Sequence, residues 1–154
     1  MKKAILLLFL LPTIAFGQMT PSKTIIAGEK LKNNAIYGSV GYFFVLVSAS
    51  GFYERILKQN LFNKNISLYG RTGFTALGTL MGEVSIASLN AGLLTGIKNH
   101  HLEIGLGPGL MIDEEEIFAT GCLGYRFQNP EKSFIFRCGL GSPELLYAGI
   151  GVSF

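Results

Sequence analysis

Along most of the chain, apolar residues recur at every second position. Leu102, Ile104, Leu106, Pro108, Leu110 and Ile112 alternate with His101, Glu103, Gly105, Gly107, Gly109 and Met111. Successive residues of a strand face opposite sides, so residues 101–112 read as a strand with one apolar face and one slender, partly charged face. The same alternation predicts strands at 66–77, 117–128, 133–140 and 145–154. In the last, Leu146, Ala148, Ile150, Val152 and Phe154 form the apolar ladder. Residues 84–97 alternate imperfectly. Val84 and Ile86 share one parity, and Leu89, Ala91 and Leu93 share the other. A bulge near Ala87-Ser88 is the expected cause. Pro108 has no N–H to give a ladder, so a break or bulge is expected there.

Turn residues separate these runs at 58–65, 98–100, 113–116, 129–132 and 141–144. Residues 36–57 should hold two more strands. Their turn has two placements. Ser48-Ala49-Ser50-Gly51 has turn composition but leaves a short second strand. Tyr42-Phe43-Phe44 gives a longer strand and an unusually apolar loop. Either way the total is eight. Strands of about 9–11 residues cross a membrane, and bacterial membrane barrels use even numbers from eight upward. The expected fold is all-β: an eight-stranded antiparallel up-and-down transmembrane β-barrel over 36–154.

Composition supports sheet rather than disorder. The chain has 154 residues with 49% hydrophobic, 15% charged and no Trp. Its 20 glycines are nearly twice the usual share of about 7%. Residues 1–17 look like a secretory signal peptide: Lys2 and Lys3, an apolar core, then Ala15-Phe16-Gly17 for cleavage before Gln18. That core is shorter than the ~20 residues of a spanning helix. No Cys follows it for lipid anchoring. Residues 18–35 are polar and read as a mostly irregular periplasmic lead-in. The formal charge of +3 falls to 11 basic against 10 acidic residues once Lys2 and Lys3 leave. With no basic run there is no expectation of nucleic-acid binding.

Alternation alone does not say which face is inside. Glu54, Arg71, Glu103, Arg126 and Arg137 lie on the parity opposite the apolar ladders, together with many glycines. In a membrane barrel the ladder faces lipid and charges face a polar interior. An eight-stranded interior is just wide enough to be filled by side chains, so long Arg and Tyr residues there need small neighbours. The five charged residues are expected to form a paired lumen network, since buried charges must be paired. The competing reading is a charge-lined pore. Tyr53, Tyr125, Phe127, Phe134 and Phe136 suit an interfacial aromatic girdle.

Other chemistry is sparse. His100 and His101 are adjacent and point to opposite faces, so no metal site is expected, and the Asp113–Glu116 run reads as a solvated loop. Ser and His occur without triad spacing, and neither an enzyme nor a cofactor is expected. A turn around Pro130-Glu131 sets Tyr125 opposite Phe136 and Leu123 opposite Cys138. Cys122 then faces in and Cys138 out, and no disulfide is expected.

Several stretches together resemble a group of small Gram-negative outer-membrane β-barrel proteins, mostly of unassigned function. They are Tyr53-Glu54-Arg55-Ile56-Leu57, Asn99 to Gly107, Gly124 to Gln128 with Phe136-Arg137, and the terminal Gly151-Val152-Ser153-Phe154. The resemblance spans residues 36–154. It implies the barrel and the cell outer membrane, and no activity. It also suggests that Phe154, with Val152 and Ile150, serves as the assembly signal read by the barrel-insertion machinery. Outer-membrane lipid is the other expected partner; the sequence sets no oligomeric state. The leading expectation is a membrane barrel with a structural or interaction role and a largely filled lumen. The alternatives are a small solute pore and a secreted soluble barrel with its faces reversed around an apolar ligand.

Overall fold

Eight antiparallel strands follow one another in the computed structural model, which describes residues 30–154 apart from 45, 80 and 81. They are β1 Asn34–Phe43, β2 Leu46–Lys58, β3 Ile66–Thr79, β4 Gly82–Ile97, β5 His100–Met111, β6 Glu116–Gln128, β7 Phe134–Ser142 and β8 Leu146–Ser153. Each pairs with the next, and β8 returns to β1, so the sheet closes. The expected signal peptide, and the lead-in up to residue 29, lie outside the described residues. Strand β1 starts at Asn34, two residues before the expected boundary at 36. No helix among the described residues is long and apolar enough to cross a membrane, which leaves strands aside.

Closure is secured at the chain terminus. Strands β1 and β8 pair from Ala35↔Ser153 to Tyr42↔Leu146. Beyond that ladder, Phe154 N donates to Asn34 O at 2.9 Å, and Asn34 N donates to Phe154 O at 3.1 Å. This end is called lower below, and the end with the β1–β2, β3–β4, β5–β6 and β7–β8 turns upper.

Three local expectations are settled or changed. The first turn falls at Phe44, which adopts φ 54; Ser48 and Ser50 lie within β2, facing inward and buried. Their turn-like composition reflects an interior that needs small polar groups. The bulge expected near Ala87-Ser88 is absent, because β3 and β4 pair without a shift from Ile66↔Thr95 to Thr79↔Gly82. The parity switch is real chemistry instead: Ile86 is an apolar residue on the inner face, buried. The bulge that does occur lies between Ile56 and Lys58 of β2.

At Pro108 the β4–β5 ladder is interrupted between Ser88↔Gly109 and Ala91↔Leu106, with the register unchanged across the gap. On the other side Pro108 pairs normally with Ala119. The missing N–H therefore opens one side of the strand only.

The faces are now fixed. Outward ladders are apolar and exposed: Leu102, Ile104 and Leu106 on β5, and Leu146, Ile150 and Val152 on β8. Leu106 is 69% exposed, whereas Arg126 is 0% exposed. Outward charges sit near strand ends, with Arg55 opposite Asn34 and Glu83 second in β4. The distribution is the reverse of a water-soluble barrel, which keeps its apolar ladders inside.

Candidate functional site

The inner face carries the polar chemistry of the molecule. It is arranged in layers from the lower to the upper end.

At the lower end, Leu31 of the lead-in packs with Ile56, Tyr69 and Leu94. Gln59 fixes it there: its Oε1 accepts from Leu31 N at 3.1 Å, and its Nε2 donates to Leu31 O at 2.8 Å. Ala35, Tyr37 and Ile135 form a second apolar cluster. The end of the stretch read as irregular is thus held against the base of the barrel.

Above this lies the charged layer, contributed by seven strands, every one but β4. Glu54 of β2 accepts from Arg126 Nη1 of β6 at Oε1, and from Tyr37 Oη at Oε2 at 3.1 Å. Glu103 of β5 accepts twice from Arg137 of β7, from Nε at 3.0 Å and from Nη2. Tyr147 Oη of β8 also donates to Glu103, at 3.0 Å. Arg71 of β3 stands 3.8 Å from the same carboxylate. It donates to Tyr37 Oη at 3.3 Å and to Cys122 Sγ at 3.1 Å. Arg137 lies over the Tyr37 ring at 4.3 Å and over the Tyr147 ring at 5.3 Å. Cation–π contacts of this kind strengthen when desolvated.

Glycines make room for these side chains. A Cβ at Gly124 would collide with Tyr147 Oη, and one at Gly105 would lie 2.6 Å from Tyr69 Oη. Part of the glycine-rich parity in the sequence is therefore a set of gaps for tyrosines. Every one of Glu54, Arg71, Glu103, Arg126 and Arg137 is at most 5% exposed. The structure brings all five together in two groups bridged by Tyr37.

The upper layer is different. A small cavity of about 30 Å³, measured as space for water-sized centres, lies among Ser39, Ser88, Asn90, Thr120, Arg71 and Glu144. Thr120 Oγ1 donates to Asn90 Oδ1 at 3.0 Å. Sequence reasoning missed Glu144, which was assigned to a turn. It does lie between β7 and β8, but it is buried, and it crosses the inner face of β1 to reach β2. Its Oε1 accepts from Ser50 Oγ at 2.7 Å and from Ser48 Oγ at 3.1 Å. Gly41 allows the crossing, since a Cβ there would strike the Glu144 side chain. No single signal marks Glu144; only the pairing of β1 with β2 and β8 reveals it.

Some buried polar atoms find no partner among the described residues: Arg71 Nε, Arg126 Nε, His101 Nε2, and both ends of the Gln128 amide. In the sequence His101 is weighed only as a metal ligand, and Gln128 is not singled out. They lie inward on β5 and β6, where parity places them.

The predicted aromatics all face outward on lower strand halves. Phe127 pairs with Phe136, Phe134 with Val152, and Tyr53 Oη donates to Asn34 Oδ1 at 3.0 Å. Tyr125 Oη lies 2.6 Å from His100 Nδ1. His100 faces out and His101 in, and among the described residues no three His, Cys, Asp or Glu converge on a metal position. Ile150, Val152 and Phe154 are exposed along the outer seam.

The β6–β7 register differs from expectation. Tyr125 pairs with Cys138 and Leu123 with Leu140, two residues from the expected pairing. The turn centres later than Pro130-Glu131, because Asn129 Oδ1 accepts from Glu131 N at 2.9 Å and Lys132 N at 3.3 Å, winding the chain before β7 starts. A two-residue shift preserves the faces. Cys122 remains inside and Cys138 outside, and both are free.

No protein-family model, curated protein or solved structure matches this chain.

Proposed function

We propose that this protein is an integral barrel of the bacterial outer membrane with a structural or interaction role, and with an interior filled too closely to conduct solutes. The observation that carries the reading is the inversion of the two faces. Exposed Leu, Ile, Val and Phe cover the outside, while three arginines and three glutamates are buried inside. In water such an outer surface would far exceed the apolar patches that soluble monomers tolerate. In lipid it is the required solvent-facing surface, and sheet closure removes the unpaired backbone that lipid forbids. The ionic core also argues against a soluble carrier of an apolar ligand, whose interior would be greasy. The reading is non-enzymatic: the Cys122 thiol, 3.6 Å from Glu103 Oε1, is buried in the charged layer.

The outward ladder of β8, Ile150, Val152 and Phe154, is assigned to recognition by the insertion machinery. Deleting Phe154 should lower the fraction of protein inserted in the outer membrane, read by membrane fractionation; unchanged insertion would leave β8 a closing strand only.

The membrane assignment is tested by Ile104→Arg. Ile104 is outward, mid-strand and 55% exposed. In a bilayer the change should destabilise the folded barrel by about 2–4 kcal/mol, read as the urea midpoint in lipid vesicles. In a water-soluble barrel it would be neutral. A protein that stays folded and monomeric in buffer without detergent, with Ile104→Arg silent, would refute the reading.

A further inference from the structure

The floor of the upper cavity holds more positive charge than its immediate neighbours balance. Glu54 and Arg126 form one pair. Glu103 serves both Arg137, through two hydrogen bonds, and Arg71 at 3.8 Å. Two guanidiniums thus share one carboxylate, an excess of one charge. Arg71 is the less satisfied of the two. It is only 5% exposed, and its Nε finds no partner among the described residues. Both arginines line the cavity.

The remaining interior carboxylate, Glu144, is engaged elsewhere. It lines the same cavity but is held by Ser48 and Ser50. Among the described residues it makes no ion pair within 4.0 Å. A buried excess charge is costly unless a counter-charge meets it. The cavity also offers neutral donors. Ser88 supplies a hydroxyl, and because Asn90 Oδ1 already accepts from Thr120, the Asn90 NH₂ group is the end left to donate. The volume of about 30 Å³ holds one or two water-sized guests, at roughly 10–15 Å³ each. A bulky organic anion such as gluconate is too large for it.

We propose that the upper cavity is a binding site for a small monovalent inorganic anion of halide size, held by Arg71 with the Ser88 and Asn90 donors, while Glu144 on the opposite wall limits its occupancy. The site depends on the interior geometry and not on the membrane assignment, so it is present wherever the barrel is folded.

A ligand that binds only the folded state raises the unfolding midpoint by mass action. The test follows the heat-unfolding midpoint of the detergent-solubilised full chain as sodium chloride replaces sodium gluconate at constant ionic strength. Chloride fits the cavity and gluconate does not. The expected result is a saturable rise with chloride. Arg71→Gln should abolish it. Ser88→Leu, which fills the cavity without touching a charge, should abolish it too, and this variant decides the matter if Arg71→Gln fails to fold. Glu144→Gln keeps the hydroxyl contacts but removes the opposing charge, and should lower the half-saturating chloride concentration at least about tenfold, since a like charge on the cavity wall repels the anion by more than about 1 kcal/mol. No difference between the two salts would overturn the proposal, as would a chloride response that survives Ser88→Leu.

Discussion

The middle and upper layers of the barrel interior contain the same kinds of group and treat them differently. In the middle, two carboxylates meet guanidiniums and tyrosine hydroxyls, and long side chains fill the bore. At the top, one carboxylate is met only by serine hydroxyls, and short side chains leave a cavity. The difference shows how an eight-stranded barrel of fixed width regulates its own packing. Where Tyr69 and Tyr147 point inward, glycines leave them room, as Gly105 does for Tyr69 and Gly124 for Tyr147. Where the wall carries Ser39, Ser88 and Thr120, the side chains are short and space remains. The middle layer should therefore be sensitive to any lost charge or added carbon, and the upper layer should tolerate both.

The largest effect is expected from Glu103→Ala. It strands Arg137 and Arg71 in the interior, and breaking a buried ion pair in this way destabilises by about 3–5 kcal/mol. The urea midpoint of the folded barrel measures it. A loss below about 1 kcal/mol, the scale of a single ordinary hydrogen bond, would show that the middle layer is as forgiving as the top. The next is Gly124→Val, which drives a side chain into Tyr147 Oη. Overpacking of a filled core typically costs about 1–3 kcal/mol. Equal stability of the variant would mean that Tyr147 moves aside freely, and that the middle layer is not packed.

How far the sequence reveals this depends on whether neighbours along the chain or across the sheet decide. Eight strands and their faces are legible because alternation is a local property: Leu102, Ile104 and Leu106 against His101 and Glu103 need no partner to be read. The closed barrel and the inward burial of Glu54, Arg71, Glu103, Arg126 and Arg137 follow from that parity. Register is not local. The two-residue offset of β7 against β6 depends on how Asn129 winds the turn, and parity is blind to even shifts. Composition also misleads where one residue type suits two environments. Ser48 and Ser50 are as good in a turn as on a crowded inner face, and Ile86 breaks an alternation without moving the backbone. Glu144 lies at the far end of this scale. Its partners are 94 and 96 residues away, so its burial becomes visible only once β8 is laid beside β1.

That long reach gives the smallest and most specific prediction. Ser50 Oγ lies between Glu144 Oε1 at 2.7 Å and Thr75 Oγ1 at 2.9 Å. Ser50→Ala removes both contacts yet leaves Ser48 donating to the carboxylate. The gap it creates adjoins a cavity that water can enter, so a solvent molecule can replace the lost hydroxyl. The loss should be about 0.5–1.5 kcal/mol, the net worth of an ordinary hydrogen bond. In a double-mutant cycle with Glu144→Gln, the coupling should be close to zero, because the serine donates to either side-chain oxygen. A loss of about 3 kcal/mol or more would place Ser50 in a dry, fully committed network like that around Glu103. The upper wall would then be a continuation of the charged layer, and the contrast between the two halves would fail at the residue where it is most finely drawn.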